Sequence, residues 1–172
     1  MLAEDFNRTI DSWIKELEHY SFDQLCMQPA PGSWSLGQVY MHLIDATTYF
    51  ISEANTCLTT NEHATEDTLP AAKTIFAKNS LPDRIIEGPP SNALTPQPES
   101  KEQIMIGLLQ LKEEIKHAGA RISESTFKGK TKHVGLQYFN AREWLQFAEM
   151  HFRHHLRQKQ RIDDFLRTII IH

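Results

Sequence analysis

Apolar residues recur at helical spacing over four long stretches of this 172-residue chain. From about Leu2 to Glu18, Phe6, Ile10, Trp13, Ile14 and Leu17 share one face, the stripe of an amphipathic helix. The second stretch, Leu36 to about Cys57, turns Val39, His42, Leu43, Ala46, Phe50 and Ala54 inward. The third starts at Ser100, carries Ile104, Leu108, Leu111, Ile115 and Ala118, and ends near Arg121. The fourth starts at Asn140 and sets Trp144, Phe147, Ala148, His151, His155, Gln158, Ile162, Phe165 and Ile169 in steps of three and four, the seam of a helix in a bundle. Ser35 with Gln38, Ser100 with Gln103 and Asn140 with Glu143 mark three of these starts. At that spacing the cap accepts from an orphan amide while the residue three positions on reaches back to the cap's own amide.

The intervals break helices. Pro29-Ala30-Pro31-Gly32 ends any regular element after the first helix. Residues 58–98 hold six of the eight prolines, with room for one short helix over Ala71 to Lys78 anchored by Ile75 and Phe76. A connection of about forty residues is unusual within a compact domain, and serves as a lid or wall over a site or as a plain crossover. Residues 123–139 form a second connection, with no convincing pair of strands. The pattern predicts an all-α fold: a four-helix bundle, one domain over residues 1–172, with a long irregular connection between helices two and three.

Two apolar stripes contain histidines. His151 and His155 lie one helical turn apart, about 6 Å of rise, so both imidazoles leave the same face. His42 occupies the inner stripe of the second helix. Side-by-side packing of these two helices brings three imidazoles to one point. A lone core histidine is commonly a hydrogen-bonded packing residue. Three on two facing stripes suit a transition metal, because an unpartnered buried imidazole costs about 1–3 kcal/mol. Three nitrogens would leave at least one position open for water or substrate. His154 points about 100° away and fits a rim or helix interface, although His151 with His154 is an alternative pair. Asp45 and Gln158, each about one turn from a histidine, are candidates to support the ligands from behind, alongside His154. The stretch is not HExxH, since Phe152 stands where that motif has its glutamate base.

Composition narrows the function. Hydrophobic residues make up 40% and charged residues 23%, with only seven glycines, as in soluble helix-rich proteins. A net charge of −4 with scattered basic residues argues against a nucleic-acid partner. No apolar run approaches the roughly 18 residues of a membrane span, and the N-terminus lacks a signal peptide's apolar segment. Cys26 and Cys57 form neither a CxxC motif nor a disulfide framework, so a cytoplasmic location with reduced thiols is expected, Cys57 being buried and idle.

Ser33-Trp34-Ser35-Leu36-Gly37-Gln38-Val39 leading to His42-Leu43, Asn140-Ala141-Arg142-Glu143-Trp144, and His151-Phe152-Arg153-His154-His155-Leu156-Arg157-Gln158 together resemble the DinB-like superfamily. The similarity is strongest to the branch with bacillithiol transferases and metal-dependent hydrolases of the YfiT type. It implies an up-down-down-up bundle, a zinc or nickel ion on His42, His151 and His155, and a homodimer, for which the apolar tail Ile169-Ile170-Ile171 is weak support. It also implies a small-molecule substrate and a low-molecular-weight thiol, the metal lowering the thiol's pKa. Arg153 and Arg157 read as solvated helix-face residues, with neutralisation of an acidic thiol as the alternative. Hydrolysis assisted by Glu149 or Asp45, and a non-catalytic metal- or small-molecule-binding module, are the alternatives. Residues 58–98 carry no family motif, and substrate choice is expected there.

Overall fold

Ser35 and Asn140 cap their helices reciprocally. Ser35 Oγ accepts from the Gln38 amide at 3.1 Å while Gln38 Oε1 accepts from the Ser35 amide at 3.0 Å. Asn140 and Glu143 repeat the exchange at 2.9 Å each way. Ser100 caps only one way, because Gln103 Oε1 accepts from Glu99 instead. The computed structural model describes residues 1–84, 86 and 88–170, the side chain of Ile170 excepted. Its elements are α1 (Leu2–Leu17), α2 (Phe22–Cys26), α3 (Leu36–Cys57), α4 (Pro70–Lys78), α5 (Lys101–Glu124), β1 (Lys130–His133), β2 (Gln137–Asn140), α6 (Ala141–His154) and α7 (Leu156–Ile170), with a 3-10 turn at Pro90–Leu94. The fold is mostly helical. No described helix is long and apolar enough to cross a membrane.

α1 and α3 each pack against both α5 and α6, which closes these four helices into a ring. Its interior is filled by Phe6, Ile10, Trp13, Tyr40, Leu108 and Phe152, among others, all at most 1% exposed. Trp13 stands edge-on to Tyr40 and to Phe152, with ring centroids 5.2 and 6.0 Å apart. The Tyr40 hydroxyl, which burial would otherwise penalise, donates to the Trp13 carbonyl at 2.8 Å. Each of these side chains contributes roughly 1.5–3 kcal/mol through removal from water. A second cluster of Cys57, Ala72, Phe139, Trp144, Phe147 and Met150 seals the far end of α3 under α4 and the hairpin.

Four features depart from the expectation or decide what it left open. The fourth helix is interrupted: His155 stands alone between α6 and α7, at φ −73° and ψ −9°. The chain continues in nearly the same course, since the His155 amide donates to the His151 carbonyl and the Lys159 amide to the His155 carbonyl. Beyond it the buried positions are Lys159, Ile162 and Leu166, while Phe165 is only partly buried and Ile169 is 42% exposed. Apolar residues at both 165 and 166 made the face ambiguous. The end of the tail, Ile171 and the Ile170 side chain, lies outside the described residues.

The second difference is an antiparallel hairpin, β1 with β2, pairing Lys130 with Asn140 and His133 with Gln137 around Gly135 at φ +96°. Third, residues 58–98 are not plain crossover. Thr68 bridges Gln137 beside the hairpin, and α4 places Phe76 edge-on to Phe139 at 5.0 Å. Ile75 and Phe76 anchor it as expected, with Ala72 fully buried. Fourth, the five-residue α2 has its own capping box, Ser21 with Gln24, and buries Leu25. In the first turn of α3, a Cβ added at Gly37 would lie 2.7 Å from Pro98 Cγ and 2.8 Å from the Leu25 carbonyl oxygen, so only glycine lets these three segments meet.

Candidate metal centre

α3 and α6 pack side by side and bring the predicted histidines together. His42 Nε2 lies 3.2 Å from His151 Nε2, which lies 3.1 Å from His155 Nε2. All three ligand atoms fall within 4.8 Å of one another. His42 comes from the second turn of α3, His151 from the last turn of α6, and His155 from the junction with α7.

The protonation of this cluster is constrained. Gln158 Oε1 lies 2.8 Å from His155 Nδ1, so a neutral His155 donates Nδ1–H to it and turns an Nε2 lone pair toward His151. A proton on His151 Nε2 can be aimed at one neighbour only, and leaves its Nδ1 as a buried acceptor with no partner among the described residues. Additional protons are disfavoured. Burial holds His42 and His155 at about 4, and burial together with the neighbouring imidazoles holds His151 well below the usual value. Three neutral imidazoles thus aim their Nε2 atoms at one another without enough hydrogens to join them. A cation at the centre satisfies every lone pair at once. For the two close pairs the spacing agrees: nitrogens about 2.0–2.1 Å from one ion and 3.1–3.2 Å apart subtend about 100°, near the tetrahedral value. The donor set therefore fits a divalent transition metal.

The other anticipated residues separate. Gln158 supports His155 directly. His154 stands beside His155, ring centroids 5.9 Å apart, and lies at the rim with its pKa lowered by burial and by Arg157. Asp45 is exposed, and no hydrogen bond joins it to a triad imidazole among the described residues. Partial burial raises its pKa. Glu149 is engaged elsewhere. It is 5% exposed, takes a bidentate pair from Arg153 and accepts from Thr9 at 2.9 Å. That pairing also occupies Arg153, which donates to the Asn79 carbonyl as well, while Arg157 pairs with Asp83. The Arg157–Asp83 pair is exposed, so of the two arginines only Arg153 is held in a buried pair. Cys57 is 1% exposed with its pKa raised by burial, and donates to the Phe139 carbonyl at 3.5 Å. It sits fifteen residues past His42, about 22 Å along α3.

Two side chains flank the triad with no prior signal of doing so. Trp34 covers His42 with ring centroids 4.9 Å apart, and Phe50 meets His151 edge-on at 5.7 Å. Phe50 reads in sequence as one more core residue, because a helical stripe does not say which members border a site. Phe152 is fully buried against Phe6 and Trp13, so the position that would hold the HExxH glutamate is filled by a core aromatic ring. Two clefts, of about 560 Å³ between α3 and α5 and about 390 Å³ beside β1, contain none of the three histidines.

The fold is mostly helical, and α3, α6 and the α6–α7 junction bring together three histidines that could hold a metal ion. The DinB superfamily profile matches residues 5–158, and the chain belongs to that superfamily. No curated protein and no solved structure shows significant similarity to it.

Proposed function

We propose that the protein is a metal-dependent enzyme in which His42, His151 and His155 hold one divalent cation, zinc or nickel, and that it transfers a low-molecular-weight thiol to a small-molecule substrate. The observation that carries this reading is the convergence of three buried imidazole nitrogens within 4.8 Å. A cation held there supplies Lewis-acid chemistry, lowering the pKa of a thiol or water that reaches its open position. The chain's own residues prepare that position. Burial keeps the three imidazoles neutral, the form that donates a lone pair. Gln158 fixes the tautomer of His155, and Trp34 and Phe50 keep water from two sides of the cluster.

Thiol transfer is favoured over hydrolysis by the disposition of the carboxylates. Hydrolysis by a cation-bound hydroxide calls for an acid to assist the leaving group, yet Glu149 is spent on Arg153 and Asp45 is exposed. Attack of a cation-bound thiolate on an electrophile needs no such carboxylate. The same proposal includes a cytoplasmic location, consistent with free Cys26 and Cys57, and a homodimer. Exposed Ile106 and Leu109 on α5 are apolar surface available to a second copy.

The test is metal analysis of purified protein beside His42→Ala and His155→Ala, followed by assays of thiol conjugation to an electrophile and of ester cleavage. Stoichiometric metal in the parent only, with thiol-dependent conjugation, supports the proposal. Absence of metal from protein prepared under metal-replete conditions overturns it. Ester cleavage without thiol assigns hydrolysis, and metal with no turnover assigns a binding module.

A further inference from the structure

His155 is the least supported of the three histidines by its own helix, because the helix breaks at that residue. Its support comes from α7. Gln158 accepts from its ring at 2.8 Å, and the Lys159 amide donates to its carbonyl at 2.9 Å. Lys159 itself is unusual, with its side chain only 8% exposed. Its ammonium bonds Glu16 of α1 at 2.9 Å and Asp163 of α7 at 2.7 Å, and lies 5.4 Å from the centre of the Tyr20 ring. The Tyr20 hydroxyl closes the group by donating to Asp163 at 2.6 Å. Burial opposes the charge on Lys159, but the bonds to Asp163, Tyr20 and Glu16 outweigh it and hold the pKa above its ordinary value.

Such a cluster is poor evidence of added stability, because desolvation cancels much of the attraction and apolar replacements are often neutral or better. What it does supply is one defined register, since the ammonium finds its partners in only one placement of α7 on the end of α1. Apolar contacts from Ile162 and Leu166 alone would tolerate sliding. That register is set one turn beyond a histidine of the triad and next to the glutamine that orients it.

We propose that the Lys159–Glu16–Asp163–Tyr20 cluster is a positioning device for the triad: by fixing α7 on α1 it holds Gln158 beneath His155 and so sets the affinity of the three histidines for a divalent cation. The inference rests on the metal reading given above. Lys159 is a positioning residue, acting through Gln158 and His155.

The test is the affinity for cobalt(II), by chelator competition and by the visible absorption of the bound ion, at a temperature where every variant is folded. Gln158→Leu weakens binding about 10- to 100-fold, as loss of a group orienting a ligand does. Lys159→Met weakens it about tenfold and shifts the absorption, because the histidine geometry changes. The double variant binds within about twofold of Gln158→Leu alone, since both changes act through one element. An unchanged affinity and spectrum in folded Lys159→Met overturns the inference, as does full multiplication of the two losses. Should Lys159→Met not fold, Tyr20→Phe removes a single hydroxyl from the cluster, and a smaller loss in the same direction is expected; unchanged affinity there overturns the inference equally. Failure of the parent protein to bind cobalt(II) strikes the metal reading instead, which keeps the two claims separate.

Discussion

His133 permits a quantitative prediction away from the metal cluster. On β1 its ring is stacked on Phe139 (4.8 Å, 26°) and bordered by Trp144 and Phe147 at 5.5 and 4.8 Å. Its Nδ1 is buried with no hydrogen-bond partner of good geometry among the described residues. Burial lowers its pKa to about 4, opposed only in part by the Val134 backbone. The unfolded chain titrates at about 6.5 and therefore binds the proton first as pH falls. Stability from this residue is fully present above pH 6.5 and is lost as pH drops from 6.5 toward 4. Going from pH 7 to pH 5, the two protonation curves differ by about 2 kcal/mol, an upper figure because the ring is not fully enclosed. His133→Phe matches the ring's shape, removes the unpartnered nitrogen and abolishes this titration. Urea unfolding at pH 7 and pH 5, with chelator present so that the triad contributes equally, should show the parent losing about 2 kcal/mol more than the variant. Equal pH dependence of parent and variant would refute the argument that this ring is held neutral by its aromatic surroundings.

Further outcomes follow from the packing. Gly37→Ala forces a methyl against Pro98 and the Leu25 carbonyl, and should lower the midpoint of denaturant unfolding by about 1–3 kcal/mol in stability. Arg153→Ala leaves the Glu149 carboxylate buried with only Thr9, and is expected to cost about 2–4 kcal/mol in the same assay; Glu149→Gln with Arg153→Ala should recover part of it, because no charge is then left unpaired. Cys57→Ser should leave metal content unchanged by elemental analysis, and loss of metal would mean that a thiolate ligand had been overlooked.

Much of this protein is local, and the local part was readable from the chain. Helical stripes such as Phe6–Ile10–Trp13 and Ile104–Leu108–Leu111, with caps at Ser35 and Asn140, depend on neighbours three and four residues away. Histidines on two inner stripes could be nominated as partners for the same reason, since each stripe faces a core. The hairpin escaped because the inner side of β1 is polar: Thr131 takes the Trp144 indole N–H at 2.7 Å and His133 stacks on aromatics, so no apolar alternation announces a strand. The interruption at His155 escaped as well, for it occurs without proline or glycine and is apparent only in the backbone.

Charged residues show the division most clearly. Sequence alone determined the stripes, the caps and which histidines face inward, because those are matters of spacing along one helix. Only the tertiary structure decided that Glu149 and Arg153 are occupied with each other, that Asp45 faces solvent, and that Lys159 is buried among groups from α1 and α7. The reason is physical: a charge is placed by partners brought from distant parts of the chain, and no local pattern records them.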